Sequence, residues 1–573
     1  MCPVRLSEMA EILIKNGFVF DPTNKINGQK MDIAIKDGKI VAKVNERTAK
    51  IIDASGLTVM AGGVDIHSHI AGSEVNIGRM IRPDDHVKDV VKKTALTRSG
   101  TGYSIPTTFV TGYRYSKMGY TTVMNPSMAA MKARHAHEEL NDVPMIDKGV
   151  FTLLGDWWFA LESIAKGDLV ECARLIAWMI RSTRSYAIKI VNPGGLESWG
   201  FGRNVHSIDD EVPNFHLTPR DIITGMAKVN TMLNMPHTIH LHTNNLGVPG
   251  NYKTAIETMQ ALESVYTGDK PVAHITHIQF SSFAGDNWAK FRSGAEEIAN
   301  YLNAHNHITV DIGQLTFADT TTMTADGPFE FALYELGGHN KWVNSDVETE
   351  SSGGIIPFHF KRKNAVNAIQ WSIGLELSLL IKDPWKWAMT TDHPNGGPFF
   401  HYPRVLAWLY SRKAREATLK KCNKKAQKKS LLPSIDREYS LYELAIVTRA
   451  GNAKTLGLKN KGHLGVGADA DVSIYNINPE TTDIAKDYKP VRKAFGNAAY
   501  TIKDGKILVK DAEIIATTPG RTMWLDVQTK EPCKIDDKIK NKFKEYWTIE
   551  FDNYPVPEHY IKVPEKITIK ASV

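Results

Sequence analysis

Eight short apolar segments recur between residues 62 and 394, and they constrain the fold of this chain more than any other feature. They are GGVDIH (62–67), YTTVMNP (120–126), GVFTLLG (149–155), YAIKIVNPG (186–194), HTIHLHTN (237–244), VAHITHIQF (272–280), ITVDIGQL (308–315) and KWAMTTDHP (386–394). Each has the length and β-branched content of a buried strand. Helical stretches separate several of them. LVECARLIAWMIRST (169–183) and NAVNAIQWSIGLELSLLI (364–381) are apolar on most faces, as helices packed against a sheet are. Alternating strands and helices of this number make a (β/α)8 barrel the economical fold, with catalytic residues at the C-terminal ends of the strands.

The two ends of the chain carry a different pattern. EILIKNGFVF and MDIAIKDGKIVAKV alternate apolar and polar residues, and the pentapeptide KDGKI at Lys36–Ile40 returns at Lys503–Ile507. Asp-Gly is a hairpin signal, because a tight turn needs positive φ. The repetition predicts one small β-sandwich domain assembled from both termini. The expected division is 1–60 for its N-terminal part, 61–450 for the barrel, and 451–573 for its C-terminal part and an extension. At 573 residues the chain is too long for a single compact core.

Composition removes several classes. No apolar run approaches the roughly 20 residues needed to cross a membrane. The opening MCPVRLSEMAEILIKNG lacks an apolar signal-like core, which predicts a cytoplasmic protein without membrane insertion. Four scattered cysteines (Cys2, Cys172, Cys422, Cys533) argue against disulfides, zinc ribbons and iron–sulfur ligation in this chain. The net charge of +7 hints at nucleic acid, but residues 412–429 alone carry nine Lys or Arg and one Glu. The remainder is close to neutral, so no nucleic-acid partner is expected. Such a run is more often a solvated helix face than a binding site, with a docking surface as the alternative.

His67 and His69 end the first barrel segment two residues apart. On a strand that spacing projects both imidazoles to one face, where they can reach one ion. Later segments offer further donors: His237, His240 and His242; His274 and His277; Asp392 and His393. Any one of them alone is more simply a hydrogen-bonded structural residue. Their common placement at strand ends favours a shared site. Lys189 sits inside the apolar YAIKIV, where an unpaired ammonium is costly to bury. It is either paired with a carboxylate or held neutral, and a neutral amine can react with carbon dioxide to give a carbamate.

HxH on strand one, Lys on strand four, His on strands five and six and Asp on strand eight resembles the binuclear metal-dependent amidohydrolase superfamily. TRAGNAKTLGLKNKGHLGVGADADVSIYN resembles the segment by which those enzymes return to their terminal β domain. Within it, the blocks VDIHSHIAGSEVNIGRMIRPDDH, IKIVNPGGLESWGFG, PHTIHLHTNNLG, HITHIQF, NAIQWSIGLELSLLIKDPW and TTDHPNGGPF resemble the amidohydrolase-type subunits of formylmethanofuran dehydrogenases. The likeness spans nearly the whole chain.

That resemblance implies two zinc ions, one held by His67, His69 and Asp392 and the other by His240 and His277, with N6-carboxylated Lys189 bridging. The HLH and HITH runs resemble the HAE and HxxHVST runs of dihydroorotases, which selects His240 over His242 and His277 over His274. It further implies that Asp392 is the catalytic proton carrier and that formate and methanofuran are the substrates. Partner subunits would carry a molybdenum or tungsten pterin and iron–sulfur clusters. Asn245, Arg79 and the segment 316–385 are candidates for the substrate pocket. The competing readings are an N-formyl hydrolase within a formyltransferase complex, a free-standing cyclic-amide hydrolase, and a non-catalytic scaffold.

Overall fold

The computed structural model describes residues 11–338, 343–344, 353–531, 537–546 and 550–573. Cys2 and Cys533 lie outside them; Cys172 and Cys422 are free and buried. No helix among the described residues is long and apolar enough to cross a membrane.

All eight predicted barrel segments contain a strand: Gly63–Asp65, Tyr120–Met128, Asp147–Leu153, Ala187–Val191, Ile239–His242, Ala273–Ile275, Ile308–Asp311 and Trp387–Ala388. Each pairs in parallel with its sequence neighbour. A bridge between Ser68 and His393 joins the first and last segments at their C-terminal ends, where the His69 amide donates to the His393 carbonyl at 2.7 Å. At least one helix follows every strand, including Leu169–Ser182 and Ala365–Leu380 as expected. Their starts are set by side-chain caps: Asp168 accepts from the Glu171 amide and Asn364 from that of Asn367. This is the TIM-like amidohydrolase fold.

The sixth and eighth strands are shorter than their apolar runs suggest, ending at Ile275 and Ala388. His277 (φ 35°) and Asp392 (φ 48°), two and four residues further on, both adopt the left-handed conformation.

The termini form a separate nine-stranded mixed sheet. Strand Thr58–Ala61 pairs in parallel with Ile12–Asp21 and antiparallel with Val472–Tyr475, stitching the two ends of the chain together. Its core is aliphatic, including Ile14, Ile35, Val59, Ile474 and Ile502. Both KDG repeats are two-residue hairpins with positive φ at Asp and Gly: 50° and 75° at Asp37–Gly38, 49° and 75° at Asp504–Gly505. The two turns touch. A Cβ on Gly505 would lie 3.3 Å from the Gly38 Cα, so glycine is needed there for space as well as conformation.

The last part of the chain does not join that sheet. Strands Thr522–Gln528 and Pro564–Lys570 pair in parallel with each other, and Thr522 pairs with Lys148 on the third barrel strand. Beside this joint lies a buried cluster of charges. Lys461 Nζ is 2.6, 3.0 and 2.9 Å from carboxylate oxygens of Asp147, Asp469 and Asp471. Lys503 Nζ reaches Asp147 at 2.9 Å, and Arg521 reaches Asp147, Asp469 and Asp504 at 2.7–2.8 Å. The acids could group around a metal ion, but three side-chain cations already take that place.

Candidate metal centre

The first barrel strand delivers His67 and His69 to one face, as i and i+2 spacing requires. Their Nε2 atoms both face Asp392 Oδ1, at 2.9 and 3.3 Å. Asn395 Nδ2 donates to both Asp392 oxygens at 3.0 Å and fixes the carboxylate. Lys189 and His240 are register neighbours on strands four and five. His240 Nε2 lies 3.0 Å from His67 Nδ1, and the His277 ring centroid is 5.5 Å from that of His67. All six sequence-selected residues are thus buried in one chamber. Two metal-capable groups emerge: His67, His277 and Asp392, and His67, His240 and Asp311.

Electrostatics follow from burial and from two carboxylates. Burial disfavours a charged His67, yet Asp311 and Asp392 outweigh it and raise its pKa to about 9 in the metal-free chain, so a bound metal would have to displace that proton. Burial pushes His240 and His277 well below their ordinary value, which keeps both imidazoles neutral, as a metal ligand must be. Burial opposes ionisation of Asp392, but His67 and His69 hold its pKa far down. Lys189 is fully enclosed, and its nearest hydrogen-bond partner is Thr276 Oγ1 at 3.4 Å. Burial lowers its pKa to about 8 against the pull of Asp311 and Asp392.

A cation pair fits this donor set. His277 Nδ1 is buried without a hydrogen-bond partner. By contrast His274, the residue passed over, is satisfied on both ring nitrogens, by Thr309 at 2.9 Å and Asp311 at 3.2 Å. His242, the other one passed over, is held by Asp326 at 3.0 Å.

The sequence reading missed Asp311. One of its oxygens faces His67 Nδ1 at 3.1 Å and His274 Nε2 at 3.2 Å, while the other accepts the His277 amide at 2.7 Å. A carboxylate behind an imidazole fixes its tautomer and orientation for a metal. The available signal was the one used for Lys189, an ionisable residue inside an apolar strand (ITVDIG). Asp311→Asn is expected to weaken divalent-metal affinity about 10- to 100-fold with the fold intact. Competition with a chelator measures it, and unchanged affinity would assign Asp311 a packing role only.

Arg79 and Asn245 are partly engaged elsewhere, although Arg79 Nη2 is buried without a hydrogen-bond partner. Arg79 binds Glu139 and the Pro106 carbonyl, and Asn245 binds the His206 carbonyl and Thr254. Segment 316–385, of which 339–342 and 345–352 lie outside the described residues, contributes Met323, Thr324 and Ala325 to a narrow cleft at His69. The basic run divides in a similar way. Arg415 is buried and donates to four backbone carbonyls, Arg412 pairs with Glu416 and Asp436, and Lys429 donates to the Phe291 carbonyl.

The amidohydrolase family profile matches residues 50–509. The chain is 49% identical to protein FwdA of Methanocaldococcus jannaschii over 571 residues, covering 98% of this chain and 99% of that one. It is 34% identical to FhcA of Methylorubrum extorquens, a component of the formyltransferase/hydrolase complex Fhc, over 95% of this chain and 96% of that one. The crystal structure of the FhcABCD complex with methylofuran contains a chain that superposes with a TM-score of 0.88 at 32% identity, covering 98% of this chain and all of the other. The chain belongs to the amidohydrolase family.

Proposed function

We propose that this chain is the amidohydrolase-type component of a formylmethanofuran dehydrogenase, where it reversibly condenses formate with the amine of methanofuran. The observation that carries the reading is the convergence of His67, His69, Lys189, His240, His277 and Asp392 in one buried chamber at the strand ends. Near-full-length likeness to FwdA, and to a chain of a complex crystallised with methylofuran, supports this reading. In this reading His67, His69 and Asp392 would hold one divalent ion, zinc, and His240 and His277 a second, with Lys189 carboxylated on Nζ as a further ligand. Such a pair supplies an acidified water and a polarised carbonyl.

The protein's own groups manage the protons. In the synthetic direction the amine nitrogen forms its bond to the formate carbon, and one formate oxygen leaves as water. The amine enters as its ammonium, and Asp392, facing His67 and His69 at 2.9 and 3.3 Å, would carry its two protons in turn to the departing oxygen: one as nitrogen becomes nucleophilic, the other as the C–N bond forms. Asn395 holds the carboxylate between those two positions. Hydrolysis is the same sequence reversed. The structural likeness to the Fhc chain, a member of a formyltransferase/hydrolase complex, favours that direction as the second reading. Formate would come from carbon dioxide reduction on a partner bearing a molybdenum or tungsten pterin and iron–sulfur clusters.

Purification of the tagged chain from its native cells tests the assignment. Co-purification of a molybdenum or tungsten protein, with formylmethanofuran made from formate and methanofuran, is the expected result. A formyltransferase among the partners would instead establish the hydrolytic role. A chain recovered alone that opens hydantoin or dihydroorotate would overturn both.

A further inference from the structure

A second cleft, of about 250 Å³, opens between helices Tyr402–Tyr410, Arg412–Leu419 and Tyr488–Gly496, away from the strand-end chamber. Its wall carries Arg362, Arg404, Lys421, Lys489 and Arg492, and no carboxylate lines it. None of the five forms an ion pair with any described residue. Arg404 donates to the Thr316 carbonyl at 3.3 Å, and Arg362 lies over the Phe317 ring at 5.5 Å. Their positive charges are left uncompensated. Arg404 is half-buried, and burial together with the nearby Arg362 and Arg492 lowers its pKa. Like charges so gathered repel, and solvated surface cations have no reason to converge.

We propose that this cleft is a binding site for a small polyvalent oxyanion, a compact molecule bearing phosphate or several carboxylate groups. Three guanidinium groups supply planar paired donors that match either oxyanion, and the lysines add point charges at the rim. Trp408, whose indole nitrogen is tied to Thr418 Oγ1 at 2.9 Å, gives the floor a fixed apolar surface. The volume lies below the usual range for drug-sized ligands, which favours a small molecule over a protein segment. Lys421 is the part of the 412–429 basic run that this site uses. The proposal is independent of the metal chamber and of the reaction assigned to it.

Calorimetric titration of the purified full-length protein at physiological ionic strength tests it, with inorganic phosphate, tricarballylate and a hexa-aspartate peptide as probes. The expected result is saturable one-to-one binding of phosphate or tricarballylate, whichever fits better naming the ligand class. In Arg404→Gln/Arg492→Gln that affinity should fall at least about tenfold, with metal content and melting temperature unchanged. Failure of both small anions to saturate, or equal binding by the double variant, would overturn the proposal. Tighter binding of the peptide than of either small anion would overturn it in favour of protein docking.

Discussion

Lys189→Ala should lose amide chemistry by roughly 10³-fold or more, together with most of its bound metal. The residue is fully buried on the fourth strand, and its amine has one distant hydroxyl for company. A permanently charged lysine there would have no ion pair among the described residues, only the longer-range pull of Asp311 and Asp392, and a merely packing lysine would be replaceable by methionine. A carbamate accounts for the position: the neutral nitrogen bonds to the carbon of carbon dioxide, releases a proton, and gains two oxygens for a pair of cations. Lys189→Met then fails as completely as Lys189→Ala, while a short carboxylic acid restores part of the activity of the alanine variant only.

The same account sets a pH dependence. Carbamate formation needs the unprotonated amine, whose fraction in the metal-free protein rises through a pKa of about 8. Reconstitution of metal-depleted protein with zinc and bicarbonate should therefore be faster at about pH 9 than at about pH 7. Mass spectrometry or the crystal density of the holoprotein reads the adduct directly. A bare amine in an active enzyme, or an active Lys189→Met, would remove Lys189 from the metal site.

Most of the fold was legible because it rests on local patterns. Short apolar runs, Asp-Gly turns and capped helices act within a few residues, so all eight barrel strands and both KDG hairpins could be placed from the chain alone. The clustering of the candidate residues was partly legible for the same reason: a residue two positions along a strand shares its neighbour's face. Other features depend on distant partners. Asp311 gains meaning only once strand seven lies behind His67 and His274. Asp326, which holds His242, comes from a segment beyond the barrel strand that precedes it. The left-handed backbone at His277 and Asp392 is invisible in an apolar run that reads as strand to its end. Arg79 and Asn245 also take part in distant loop contacts, to Glu139 and Pro106 and to His206 and Thr254, which no local pattern shows.

Lys461→Met should cost about 3–5 kcal/mol of stability, among the largest effects of any single substitution away from the metal chamber. Lys461 is buried and contacts three carboxylates: the sequence-distant Asp147 at the start of a barrel strand, and Asp469 and Asp471 a few residues further along its own segment. Removing the ammonium leaves Lys503, Arg521 and the half-exposed Lys39, which pairs with Asp469 at 2.6 Å, to balance four acids, counting Asp504. Methionine preserves the volume, so the loss is electrostatic. In the wild type the cations depress Asp147 far below its ordinary value despite burial. A depressed carboxylate stabilises the fold above its unfolded pKa and loses that contribution only in strong acid. In the variant, burial dominates and the carboxylates prefer to be protonated, so the native state binds protons that the unfolded chain releases. Its stability should then rise on mild acidification, and the gap to the wild type should narrow between about pH 7 and about pH 5. Thermal unfolding across that range measures it; a constant gap would mean that Lys461 acts by packing, and no gap at all would mean that Lys503 and Arg521 suffice.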